Sequence, residues 1–160
     1  MDQTLKVTAL FAVGMALPYA GNAQEMTDRA TCHLAGPPAM EPVGQDAMMQ
    51  AVTYTCRVEG GPLEGAVMTG NAIYRYKQGT GEWLANHGVI RRHDGLMVYR
   101  GQEGNVKLQM KEGQITGWTG TGKNTVPAAA GAAAQLANKS ITWRAEATGA
   151  RTFRLEWRND

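Results

Sequence analysis

The residue types that could do chemistry are few and scattered in this 160-residue chain. The histidines are His33, His87 and His93. Zinc needs three or four convergent ligands, usually nucleated by a close pair, and no His-x-His or His-x-x-x-His occurs. No metal site is therefore expected. Ser140 is the only serine, and no Gly-x-Ser-x-Gly elbow is present to expose a nucleophile. The nearest acid–base set is His87, His93 and Asp94, with Tyr74, Tyr76 and Tyr99 as proton donors. Asp94 precedes a glycine, which fits a turn residue better than a base.

Gly117-Trp118-Thr119-Gly120-Thr121-Gly122-Lys123-Asn124 comes close to a phosphate-binding loop. Asn124 stands where a Ser or Thr hydroxyl must reach magnesium. The loop would also have to join a strand directly to a helix, whereas these glycines fall within a strand-like run. No nucleotide binding is expected, and a bent, glycine-rich strand accounts for the motif. The net charge of +2, with both signs interleaved, gives no basic face for nucleic acid. The methionines could suggest copper, but Met68 and Met110 occupy inward positions of alternating runs and need only be core.

An aromatic set remains: Tyr54, Tyr74, Tyr76, Trp83, Tyr99, Trp118, Trp143, Phe153 and Trp157. Such side chains either fill an interior or stack and hydrogen-bond a small ligand in a cavity. Tyr74, Tyr76, His87, Tyr99 and Trp118 are the ligand-binding candidates. No cofactor is expected.

Compartment comes from the N-terminus and the cysteines. Lys6, the apolar run Val7–Leu17 and the small residues Gly21-Asn22-Ala23 read as an export signal over residues 1–23. The apolar run is too short for a stable membrane anchor. Cys32 and Cys56 are the only cysteines, and in an oxidising compartment an isolated pair reads as a disulfide. Its closure would contribute roughly 3–4 kcal/mol on the chain-entropy argument. A periplasmic or secreted protein is expected.

The elements that position these groups follow from period and turn chemistry. Residues 24–47, with Gly36-Pro37-Pro38 and Pro42, read as an extended arm over the surface. The barrel domain is expected over residues 48–160. Asn105–Lys111 alternates cleanly, with Val106, Leu108 and Met110 on one face, as a half-buried strand does. Similar runs cover Met49–Val58, Gly65–Lys77, Glu82–Arg92, Leu96–Arg100, Gln114–Lys123, Ile141–Ala147 and Arg151–Arg158. Gly101–Gly104 reads as a turn between two of them, and His93-Asp94-Gly95 as a hairpin turn. Pro127 and the alanine run up to Leu136 suggest a short helix or a loose loop before the last two strands.

Eight strands joined by short turns predict an all-β, eight-stranded antiparallel up-and-down barrel of calycin-like type. Closing first strand on last removes two exposed edges; a β-sandwich is the alternative. Lipocalins, avidins, and the allene oxide cyclase and dirigent barrels resemble this architecture. Gly81-Glu82-Trp83 has the lipocalin Gly-x-Trp spacing but enters the third strand rather than the first, so no family residues carry over. The expected function is non-enzymatic. The barrel would bind a small apolar or aromatic ligand, or serve as an accessory subunit of a larger periplasmic or membrane-bound partner, for example a dehydrogenase. The alternative is a barrel isomerase or cyclase using His87 and a cavity tyrosine.

Overall fold

A computed structural model describes residues 28–37 and 39–160; the export signal expected over residues 1–23 lies outside them. The strands are β1 (Asp28–Leu34), β2 (Glu41–Val43), β3 (Ala47–Val58), β4 (Val67–Lys77), β5 (Thr80–Arg92), β6 (Gly95–Lys111), β7 (Gln114–Gly131), β8 (Ser140–Ala147) and β9 (Thr152–Asn159). All neighbours run antiparallel, and β1 pairs with both β9 and β3. Eight strands thus close into a barrel, and β2 is an extra strand laid on the start of β3. Closure removes the two long edges that an open sheet would leave.

The period-two pattern sets inside and outside. On β3 the residues Tyr54, Cys56 and Val58 are buried and their neighbours Thr53, Thr55 and Arg57 are not. Outward positions carry paired polar groups, among them Arg144 with Glu156 and Thr53 with Asn71, each pair directly opposite across its ladder.

Four expectations are corrected. The segment read as a surface arm supplies β1, the strand that closes the barrel: Ala30 and Cys32 point inward and are fully buried. Leu96–Arg100 and Asn105–Lys111 are one strand, with Gly101–Gly104 inside it rather than in a turn. The alanine run does not begin a helix. Residues up to Gly131 continue β7 against Leu96–Val98, and only Ala134–Leu136 forms a turn of 3-10 helix. Pro127 fits in β7 because the ladder slips there, with Val126 and Pro127 together opposite Tyr99. Met110 is exposed, since the β6–β7 hairpin tip runs past the barrel rim and its register shifts at Gln109/Met110.

The Cys32–Cys56 disulfide joins residues directly opposite each other on β1 and β3. It therefore sits on the seam where the N-terminal strand shuts the barrel, and it fits an oxidising environment.

The two ends differ. The end carrying the β3–β4, β5–β6 and β7–β8 connections is plugged by Val58, Leu63, Met97, Val126, Ala133 and Leu136, all nearly or fully buried. The opposite end carries the β4–β5, β6–β7 and β8–β9 hairpins, together with the segment after β1.

Candidate functional site

Above the plug the barrel is hollow. A cavity of about 610 Å³ runs from Met68, Ile90 and Ile141 to a mouth bounded by Leu34, Met40, Ile115, Thr116, Gly149 and Ala150. Every Tyr, Trp and Phe among the described residues lines it. No Asp, Glu, Lys, Arg or His does.

Glycines at chosen inward positions make room for the rings. Tyr54, Gly70, Gly88 and Tyr99 lie opposite one another in turn across β3, β4, β5 and β6. The two phenols lean over the glycines from either side, and their hydroxyls meet at 2.9 Å. A Cβ on Gly70 would lie 2.3 Å from the Tyr99 hydroxyl, and one on Gly88 2.1 Å from it. The same device recurs on β5–β8. Trp83 and Trp143 stack at 4.6 Å with planes 9° apart, over Gly104 and Gly122, themselves opposite partners. Within Gly117–Asn124, Gly120 and Gly122 lie beneath the Trp143 ring, whereas a Cβ on Gly117 would meet the Gln109 side chain. The Trp83 N–H leans toward the Tyr74 phenol without meeting hydrogen-bond geometry, and the Trp143 N–H also lacks a partner among the described residues.

A polar thread crosses the interior. The Tyr54 hydroxyl donates to Asn86 Oδ1 at 3.2 Å, and Asn86 Nδ2 donates to Asn124 Oδ1 at 3.5 Å. Separately, the Tyr76 hydroxyl donates to Gln50 Oε1 at 3.1 Å. Burial pushes the phenols of Tyr54, Tyr74, Tyr76 and Tyr99 well above the ordinary tyrosine range, because the anion would lose its hydration. All four remain neutral donors at any physiological pH.

Of the ligand-binding candidates, Tyr74, Tyr76, Tyr99 and Trp118 line the cavity. His87 does not: it is exposed on the outer face of β5. The cause is a bulge. Ile73 faces Ala85 while Tyr74 faces Trp83, so Leu84 is an extra residue and the strand's parity flips beyond it. Asn86, Gly88 and Ile90 then point inward. His93 and Asp94 lie in the exposed β5–β6 turn, with Asp94 bound to Arg92 at 2.6 Å. An isomerase built on His87 and a cavity tyrosine therefore has no base inside the barrel. Among the described residues no three His, Cys, Asp or Glu side chains are grouped to hold a metal.

Sequence reasoning missed Gln50, Asn86 and Asn124. The signal was available for Gln50, which shares the parity of Val52 and Tyr54 on β3. A polar residue on an apolar face must find partners, and that marks it as structural or functional.

No family model matches the chain, and no curated protein or solved structure matches it significantly. The class is thus defined by architecture alone: an eight-stranded closed barrel with a hollow, aromatic-lined interior.

Proposed function

We propose that this protein is an exported carrier or binding module that takes an uncharged, largely apolar small molecule into the barrel. The observation that carries the reading is the composition of the cavity wall: aromatic and aliphatic side chains, a few neutral polar groups and no charge. Cavities of this size commonly enclose most of a small ligand's surface. An ionised ligand would have to leave water without a counter-charge, which is prohibitive in such an interior. Export to the periplasm or secretion is supported by the disulfide and by the N-terminal sequence.

The test is a charge comparison with two fluorescent naphthalenes of similar size. Neutral N-phenyl-1-naphthylamine should bind with one-to-one stoichiometry and quench the tryptophans, all four of which line the cavity. Anionic anilinonaphthalene sulfonate should bind at least ten-fold more weakly. Equal binding, or none of either, would refute the reading. Ala147→Trp, at the mouth, should block uptake while the fold is retained.

A second reading, docking on a larger extracytoplasmic partner, is favoured by Met110 and Ile115. These apolar side chains are about half exposed at the tip of the β6–β7 hairpin, beside the cavity mouth.

A further inference from the structure

We infer that the cavity selects ligands carrying a carbonyl-type oxygen, which is seated on the side-chain amide of Asn124. The inference rests on the proposed binding function and adds the chemical class of the ligand's polar group.

The observation is a hydrogen-bond inventory. A primary amide has two donor hydrogens on nitrogen and an acceptor oxygen, and a buried one must place all of them. Asn86 spends its oxygen on the Tyr54 hydroxyl and one of its two N–H groups on Asn124 Oδ1. Tyr54 has given its proton to Asn86, so in the 2.9 Å contact with Tyr99 it is the acceptor. The thread is therefore polarised from Tyr99 through Tyr54 and Asn86 to Asn124, and its last member is left with unused donors. Asn124 Nδ2 has no partner among the described residues, although the residue is only 7% exposed and lines the cavity. Unlike the indole nitrogens, it is not sealed beneath other atoms, so its hydrogens are open to an occupant.

Gln50 repeats the arrangement. Its oxygen accepts the Tyr76 hydroxyl, and its nitrogen has no partner among the described residues. Both cavity amides that end a chain thus have their oxygens occupied and their N–H groups free. The unused capacity of these two amides therefore lies on the donor side. A ketone, aldehyde, ester or quinone-type oxygen complements it; an apolar hydrocarbon leaves it unpaired, and a buried donor without a partner opposes binding. Neutral donors suit a neutral acceptor, since the wall has no cation to hold a carboxylate.

The experiment compares 2-acetylnaphthalene with 2-ethylnaphthalene, near-isosteres that differ in the carbonyl oxygen, by tryptophan quenching in the full exported protein. The ketone should bind about 3–10-fold more tightly after correction for their different transfer from water. Asn124→Leu, which keeps the bulk and removes the N–H group, should reduce that preference at least two-fold in folded protein, Gln50 retaining its own N–H group. Should Asn124→Leu fail to fold, the wild-type comparison stands on its own. Equal binding of the two compounds to wild type overturns the carbonyl assignment and leaves the cavity reading intact. Failure of both to bind removes the cavity reading itself. An undiminished preference in folded Asn124→Leu overturns the role of Asn124.

Discussion

Tyr54 and Tyr99, 45 residues apart in the chain, touch hydroxyl to hydroxyl at 2.9 Å across the inner wall of the barrel. They can do so because the two strands between them carry Gly70 and Gly88 at that level. The contact anchors the polar thread to Asn86 and Asn124, and so fixes where the cavity presents hydrogen bonds.

Adding a methyl group beneath this contact should therefore be costly. Gly88→Ala would place Cβ 2.3 Å from the Thr69 carbonyl oxygen as well as against Tyr99, and backbone cannot step aside as a flexible side chain can. A loss of about 2–3 kcal/mol in urea unfolding is expected. Gly36→Ala, where a Cβ meets nothing within 4 Å, should change stability by less than about 0.5 kcal/mol. Equal effects at the two sites would show that the phenol pair does not need the space.

The disulfide holds the barrel's seam. Replacing Cys32 and Cys56 together by alanine should lower stability by about 2–4 kcal/mol. Loss of protection should be concentrated on β1 and its neighbours. Hydrogen exchange checks this: amides of Ala30–Leu34 should exchange by local opening, while those of β6 and β7 stay slow. Uniform loss of protection would contradict a seam that opens separately.

Asp28 gives the stability a pH dependence. Its carboxyl is buried at the plugged end, against the Gly61 turn, and loss of hydration raises its pKa to about 6; the Trp157 indole offsets this in part. A carboxyl whose folded pKa lies above its unfolded value of 3.8 favours folding while protonated. That contribution is complete below about pH 4 and is lost as pH rises through about 6. Asp28→Asn, which removes the ionisable group at nearly the same size, should be more stable than wild type at pH 8 by roughly 1–2 kcal/mol, allowing for solvent screening. The two should converge near pH 4. A gap that does not change between pH 4 and 8 would refute the assignment.

Much of the architecture was legible in the sequence, because strands with one wet face keep a strict period of two. Misreadings arose where local chemistry and tertiary pairing disagreed. Alanine's helix propensity lost to the ladder that carries Ala128–Gly131 along β6. Gly101 and Gly104 resembled a turn, yet they clear space for the Trp83 ring. Asp28–Leu34 has the alternation of a strand, with Arg29 and His33 outward and Ala30 and Cys32 inward. The neighbouring prolines hid it, and its own cysteine was the clue. At the site, the aromatic lining could be anticipated. The exclusion of His87 could not, because it depends on one extra residue, Leu84, in the β5 ladder.

The buried phenols should also report on the interior. Tyr54, Tyr74, Tyr76 and Tyr99 all have raised pKa values, chiefly through burial. Raised acids favour folding below their unfolded pKa, near 10, and that contribution falls as pH climbs further. Tyrosinate absorbance at 295 nm should therefore stay low at pH 11 while the barrel is folded, and rise together with loss of the far-UV strand signal. Full ionisation of the tyrosines in folded protein at pH 11 would place the phenols in water.

The hollow interior is tested most directly by calorimetric titration of the wild-type protein with N-phenyl-1-naphthylamine at several temperatures. One site and a negative heat-capacity change, from burying apolar surface, are expected, with both abolished in a folded Ala147→Trp variant. Heats that show no saturable site in the wild type, or binding that persists unchanged when the mouth is blocked, would contradict a ligand held inside the barrel.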